Sequence, residues 1–381
     1  AGPAARAMTL GTLDAMRRGG LHDHLQGGLF RYCVDRAWTV PHFEKMLYDQ
    51  ALGLWTYALA HKVHGRPCDR AMAEGLAACL DQTFRRDGFF LAAHDADTRH
   101  VEGGTYTWTR AELEAALTPD AFRRLDAAYD LAPRDALDGR LHLARRTDEP
   151  LPDIERTLLA RRRQRPQPEP DDTILCGQNA LAAMALVNAG RCLQRPDLGR
   201  AAAALTRRLL DTFWDGRALA HALGSGRLQR DAFLFDAAAL LGAVALLRED
   251  AADWDTPLHR LADYVRTFRE GETWIEARAA DFRPVPASWH DQPMPSGPAL
   301  AEYGLARAAL WARRPLAPAV YRQPFAADFY NVAALLRNGL FHVVTTPAPP
   351  DWSRLPAATV RLEGAPPSDC YRGACRPLAP T

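Results

Sequence analysis

Histidines and carboxylates crowd the segment from His22 to Glu44, with His42 and Glu44 placed directly after Pro41. Proline suits the first position of a helix, so this spacing predicts a helix that starts near residue 42 with both side chains on its first turn. A helix N-terminus favours negative charge, which keeps Glu44 ionised and His42 neutral. A neutral imidazole titrating near its ordinary value can act as a general base. The plainer reading is a capping interaction plus a packed ring. Asp35 is an orienting carboxylate or general acid on one reading and a turn former or an ion pair to Arg31 or Arg36 on the other. His42, Glu44 and Asp35 are the catalytic candidates. His22, Asp23 and His24 form an H-x-H with a carboxylate, but no further His or Cys stands at standard ligand spacing, so no metal is expected.

A second group suits ligand binding. Glu102, Tyr106 and Trp108 lie on an expected hairpin. With Tyr32, Trp38, Trp274 and Trp289 they offer aromatic faces and hydrogen-bonding neighbours, which fit the apolar faces and hydroxyls of sugar rings. For any single Trp, filling a loop core is the simpler role. Tyr32, Trp38, Glu102, Trp108, Asn179 and His290 are the substrate-binding candidates; His221, Glu276 and Asp291 fall on neighbouring loops or helix starts. Two chemistries stay open. Sugar hydrolysis needs two carboxylates about 5–10 Å apart, for which Glu44 with Asp35, Glu102 or Asp291 would serve. Epimerisation beside a sugar carbonyl needs an acid–base pair, for which His42 with His221 or His290 would serve. No P-loop, dinucleotide fingerprint or G-x-S-x-G occurs, so no cofactor is expected.

The elements that position these residues are helical. Segments near 42–63, 178–193, 231–247 and 297–312 are apolar nearly all round, which marks helices buried on every face. Segments near 69–85, 196–213 and 257–270 are amphipathic. Buried and half-buried helices alternate as hairpins, the pattern of an inner and an outer ring. Links after buried helices are short and links after amphipathic ones are long (86–176, 214–230, 271–296). The long links are expected at one mouth, where loops on a rigid scaffold collect sites. The 86–176 link is expected to hold a hairpin of Phe89–His94 with Thr105–Trp108, then short helices near 110–130 and 152–163. Arg161–Asp172 reads as a solvated, Pro-rich tether rather than a nucleic-acid contact.

A chain of 381 residues with net charge +1 can bury a large core and does not look like a polyanion binder. Its longest nearly apolar run, Phe233–Leu247, is broken by Asp236 and falls short of the roughly 20 residues that span a bilayer. Seven cysteines, mostly unclustered, read as reduced thiols of a cytoplasmic protein; Cys370 and Cys375 form a close pair that reads more readily as free thiols than as a disulfide or metal pair. The first residue is not Met, so a fragment of a longer protein is one expectation.

The stretch QGGLFRYCVDRAWTVPHFEKMLYDQ (Gln26–Gln50) closely resembles the signature of thioredoxin domain-containing proteins related to spermatogenesis-associated protein 20. EGGTYTW (Glu102–Trp108), DDTILCGQNAL (Asp171–Leu181), PSGPALAE (Pro295–Glu302) and CYRGAC (Cys370–Cys375) follow in that family's order. The resemblance implies an all-α (α/α)6 barrel, a six-hairpin toroid similar to the N-acylglucosamine 2-epimerase and six-hairpin glycosidase folds, with small β-hairpin insertions on the mouth loops. About nine long helices are legible where such a toroid takes twelve, so an incomplete barrel is one expectation. The expected domains are a barrel over 1–314 with the insertion at about 86–176, and a Pro-rich extension with short strands over 315–381. No C-x-x-C occurs, so the thioredoxin-like half is not expected within this chain.

The resemblance thus points to a carbohydrate-active pocket of the isomerase, epimerase or hydrolase type. The alternative is a non-catalytic scaffold that partners a thioredoxin-like domain or protein. Three departures favour the scaffold: Gln178 where relatives typically have Trp, Gln229-Arg230-Asp231-Ala232 in place of D-D-Y-A, and Pro295-Ser296-Gly297-Pro298 in place of P-S-G-N.

Overall fold

Apolar residues at helical spacing, often with proline in the first turn, delimit twelve α-helices among the described residues: α1 (Pro3–Arg18), α2 (Leu47–His64), α3 (Pro67–Cys79), α4 (Arg110–Ala116), α5 (Pro119–Ala128), α6 (Pro152–Arg162), α7 (Cys176–Leu193), α8 (Pro196–Phe213), α9 (Leu234–Arg248), α10 (Asp255–Arg266), α11 (Gly297–Trp311) and α12 (Asp328–Arg337). They belong to a computed structural model that describes residues 2–277, 283–319, 328–372 and 374–378. Parts of the 271–296 connection (278–282) and of the C-terminal segment (320–327) lie outside the described residues. The fold class is all-α, with short strands on the connections. Among the described residues no helix is long and apolar enough to cross a membrane. The chain divides into two compact units, one of Ala1–Tyr57, Ala71–Arg85 and Leu91–Asp172, the other of Ala58–Arg70, Arg86–Phe90 and Thr173–Thr381.

In the first unit, the helix expected from residue 42 begins instead at Leu47. Residues before it are extended: Tyr32–Cys33 pairs antiparallel with Pro41–His42, and Lys45–Met46 pairs with Ala93–His94. Side chains alternate across a strand. Pro41, Phe43 and Lys45 are buried, whereas His42, Glu44 and Met46 are half-exposed. That inward set, with Phe43 packed on Phe30 and Tyr106, outweighs the preference of Pro41 for a helix start. The hairpin expected between Phe89–His94 and Thr105–Trp108 does not form. Ala93–His94 takes Lys45–Met46 and Pro170–Asp171 as neighbours, and Trp108 bridges to Leu141. The hairpin in this region is Asp97–Thr98 with Val101–Glu102; Arg99 and His100 both adopt positive φ, as a two-residue hairpin turn requires.

The insertion helices form where expected. A capping box starts α4: the Thr109 hydroxyl accepts the Glu112 N–H, and the Glu112 carboxylate accepts the Thr109 N–H. Behind them Trp108, Leu125, Tyr129, Leu141 and Leu158 close a core. Arg161–Asp172 is mostly exposed, as a solvated tether would be, but two of its arginines are engaged. Arg162 is buried and bidentate on Asp23, at 2.8 and 2.9 Å. Arg165 stacks on Trp108 and donates to the Thr105 and Thr107 carbonyls. The Asp23 carboxylate, 1% exposed, also accepts from Lys45 Nζ at 2.7 Å and from the Leu25 and Gln26 N–H groups. Burial alone would push its pKa up, but the Arg162 and Lys45 cations hold it well below the usual carboxylate range.

In the second unit, α7, α9 and α11 are buried along most of their length. By contrast α8 and α10 bury one stripe each, Leu198–Ala202–Leu205–Leu209 and Leu258–Leu261–Val265. α7 packs on α8 and α9, α9 on α10 and α11, and α11 on α12. Close approach depends on Gly242 and Gly304: a Cβ there would come within 2.9 Å of Met184 and 2.8 Å of Leu241. Short links follow α7 and α9 and long ones follow α8 and α10, as the pattern of connections predicts. Just past α9, the buried Glu249 carboxylate takes Arg191 from α7 at 3.1 Å and Arg307 from α11, while its carbonyl accepts from Arg361 at 2.8 Å.

The C-terminal segment adds α12 and a four-stranded sheet in the order Thr359–Glu363, His342–Thr346, Ser368–Tyr371, Ala374–Pro377. Its first pair is parallel and the others antiparallel. Register places Cys370 opposite Cys375, and the two form a disulfide rather than the expected free thiols. Cys33, Cys68, Cys79, Cys176 and Cys192 are free.

Breaking a buried ion pair by removing one partner typically costs about 3–5 kcal/mol. Asp23→Asn leaves Lys45 and Arg162 facing a neutral amide, so a loss of that size is expected in urea unfolding; a change under about 1 kcal/mol would refute the structural role given to this carboxylate.

Candidate functional site

The outward side of the extended segment 41–46 carries the first cluster. His42 Nδ1 lies 2.7 Å from Glu102 Oε1, and His42 Nε2 lies 3.7 Å from Glu44 Oε2. The first contact is a hydrogen bond; the second is longer than one, which leaves Nε2 open to accept a proton. Glu44 is clamped by Arg31 Nη1 at 2.6 Å, and the Arg31 N–H donates to the Glu44 carbonyl at 2.9 Å. Tyr32 stacks on the imidazole, with centroids 5.1 Å apart and planes 24° apart. Strand pairing accounts for that contact, since Tyr32 is the register partner of His42. The structure therefore brings together four of the residues singled out above: Tyr32, His42, Glu44 and Glu102.

The other candidates have different surroundings. Asp35 is consumed by its own hairpin: its oxygens accept from the N–H groups of Ala37, Thr39 and Val40 and from the Thr39 hydroxyl. Partial burial raises its pKa and these bonds, led by Val40, outweigh that and lower it. It is a turn former. Trp38 sits in that hairpin's turn at φ 57°, its carbonyl accepting the Gly20 N–H. Trp108 is 2% exposed and Trp274 1%, so neither offers a face to a ligand. Asn179 is fully buried; its amide pairs with both backbone groups of Phe90 and donates to the Leu175 carbonyl. His290 is exposed beside Asp291, whose oxygens accept the Ser296 and Asp328 N–H groups. His22 and His24 donate to the Arg17, Arg18 and Gly19 carbonyls and so satisfy the last turn of α1. Burial lowers the pKa of His22 to about 4.

Two further features stand apart from that cluster. The first is Asp49, in the first turn of α2, with one buried oxygen lacking a hydrogen-bond partner. Burial pushes its pKa up to about 8, against the pull of Arg31 and with the help of the Glu44 charge. Asp49 and Arg31 both line a cavity of about 460 Å³ whose walls are otherwise mainly apolar, with Leu13, Met16, Leu29 and Leu52 among them. The only signal for it in the sequence is an acid at the start of an otherwise apolar helix. The second lies in the second unit. His221 Nδ1 sits 2.8 Å from Asp236, a buried acid that also accepts from the Gly177 and Phe233 N–H groups. That hydrogen bond raises the pKa of His221, and burial, aided by the Asp236 charge, raises that of Glu276. Asp236 is the acid that interrupts the apolar run Phe233–Leu247, and the interruption was its signal.

No family model matches the chain. Over 123 residues it is 39% identical to mouse and 40% identical to human spermatogenesis-associated protein 20, a match that covers 30% of this chain and 16% of each relative. Over that stretch the chain is homologous to these proteins, and it spans about a sixth of their length. Among solved structures it resembles cellobiose 2-epimerase from Spirochaeta thermophila, with 14% identity and a TM-score of 0.51 over 89% of this chain and 73% of the other. The chain thus has the fold of an epimerase-type (α/α)6 barrel.

The Asp49 environment has a measurable consequence. Between about pH 4 and pH 8 the unfolded chain carries an ionised aspartate while the folded chain keeps it protonated, so this group's contribution to stability falls as pH rises through that window. Asp49→Asn removes the penalty. Urea unfolding of both proteins should show the variant gaining on the parent from about pH 4 to pH 8; a constant difference would show that Asp49 is ionised in the folded state.

Proposed function

We propose that the first unit carries a sugar-binding acid–base site in which His42 Nε2 is the general base, positioned by Glu102 and flanked by the Arg31–Glu44 ion pair. The observation that carries this reading is the Nδ1 contact of His42 with Glu102 at 2.7 Å, which fixes the tautomer and leaves the far nitrogen as acceptor. Side-chain exposure of 27% keeps the imidazole in reach of a ligand. Tyr32, half exposed and parallel to the ring, offers an aromatic face of the kind sugars stack on. Arg31 connects the cluster to the cavity that Asp49 lines, and a protonated Asp49 would present a neutral hydrogen-bond donor there.

Geometry favours proton transfer over hydrolysis. A two-carboxylate glycosidase holds its scissile bond between the carboxylates, whereas here the imidazole stands between Glu44 and Glu102. The reaction class supported is isomerisation or epimerisation at the carbon beside a sugar carbonyl, with the sugar's proton passing to His42 Nε2 and returning from it or from a second acid. Cellobiose, the sugar named for the structural neighbour, heads the probes.

The test is a thermal-shift screen with cellobiose, mannose, glucose and N-acetylglucosamine, followed by proton NMR of any hit incubated with the protein in deuterium oxide. A ligand that binds the folded state raises the melting temperature, and an active base exchanges the proton at C2 for deuterium. Glu102→Gln and His42→Ala should retain the fold and slow exchange by about 10²–10⁴-fold. A hit with no exchange in the parent would make this a binding module. A flat screen would favour the scaffold that partners a thioredoxin-like protein.

A further inference from the structure

The second unit holds a cavity of about 510 Å³ at the α7–α8 turn, walled by both helices, the end of α9 and the Pro349–Ser353 segment. Its volume falls in the usual range for small-molecule sites. Its walls combine two features. One is flat and apolar: Trp352 stacks on the Arg191 guanidinium at 3.9 Å, with Pro349 and Pro350 beside it, and Trp254 lies under Arg207 at 4.8 Å. The other is cationic: Arg191, Arg195, Arg200 and Arg207 line the cavity against the acids Asp250 and Asp351.

The acids are largely committed. Asp250 accepts from Arg191 at 2.8 Å and from Trp352 Nε1 at 2.7 Å, and Asp351 holds the Ser353 hydroxyl and N–H. Arg207 is paired with Asp253 and Arg195 with Asp197. Among the described residues Arg200 forms no salt bridge, and it shares a face of α8 with Ala203 and Arg207 at i, i+3 and i+7. The buried Nε of Arg191 also lacks a hydrogen-bond partner. Arg191, which also holds Glu249, Arg195 and Arg207 are thus matched by acids, and exposed Arg200, near Asp197 but in no ion pair, is the guanidinium left to meet an anion.

We propose that this cavity binds a small planar organic anion, an aromatic ring bearing a carboxylate, with the ring against Trp352 and Pro349–Pro350 and the carboxylate on Arg200. An arginine fork suits a planar carboxylate, and aromatic stacking suits the ring. This site is independent of the His42 reading and stands or falls alone.

Isothermal titration calorimetry of the full chain with 1-naphthoate and with the neutral isostere 1-naphthamide tests it. Naphthoate should bind at least about tenfold more tightly than naphthamide, and Arg200→Glu should remove that preference. Gly199→Leu supplies the control for filling: Gly199 lines the cavity, and a Cβ there meets nothing within 4 Å. Leucine at this helical position should therefore keep the fold, checked by circular dichroism, and abolish binding. Equal affinity for the two probes, unchanged naphthoate binding in both variants, or no heat with naphthoate up to about 1 mM would overturn the proposal.

Discussion

One buried carboxylate fixes the part of the chain that carries the His42 cluster. Asp23 holds Lys45 from the 45–46 strand and Arg162 from α6 while it caps its own loop through Leu25 and Gln26. Lys45 is 1% exposed, and a lysine is buried so completely only when its charge is matched. Once Lys45 points inward, a strand's two-residue period turns His42 and Glu44 outward. A one-residue slip would bury both and expose Phe43 and Lys45. The outward position of the imidazole is thus a consequence of a salt bridge on the opposite side of the same extended segment.

The second unit solves its own assembly in the same way. Glu249 draws Arg191 and Arg307 from the helices on either side of α9, and its carbonyl takes Arg361 from the sheet. Burial raises the Glu249 pKa, which Arg307 and Arg191 oppose, so the acid is tolerable only with both cations in place. In each unit one acid shared by two cations joins elements distant in sequence. Hydrophobic packing between smooth helices is permissive about register, while a buried carboxylate with two fixed partners is not.

The fold was legible because burial imposes period. The apolar runs of α7, α9 and α11 and the one-sided patterns of α8 and α10 reported which helices lie inside. The site was legible only in composition. His42, Glu44, Glu102 and Tyr32 were chosen for their chemistry, yet Pro41 suggested a helix start where cross-strand pairing makes a strand. Arg162 and Arg165 looked solvated because nothing local shows that a partner waits some 60 or 140 residues upstream. Trp108 and Asn179 carry polar groups that could meet a ligand, and whether they do so depends on what packs over them. Long-range pairing of polar groups leaves no periodic trace, and that is where the reading fell short.

The same distinction bears on the polar residues of the second unit. The buried amide oxygen of Gln178 has no hydrogen-bond partner. An unpaired buried acceptor costs about 1–3 kcal/mol, so this oxygen works against the stability of α7. By contrast, Asp236 in the same unit is saturated: two backbone N–H groups and His221 share its oxygens. Stability alone accounts for Asp236, because an apolar residue in its place would leave the Gly177 and Phe233 N–H groups, at the starts of α7 and α9, without an acceptor. The same carboxylate also orients the His221 ring through Nδ1.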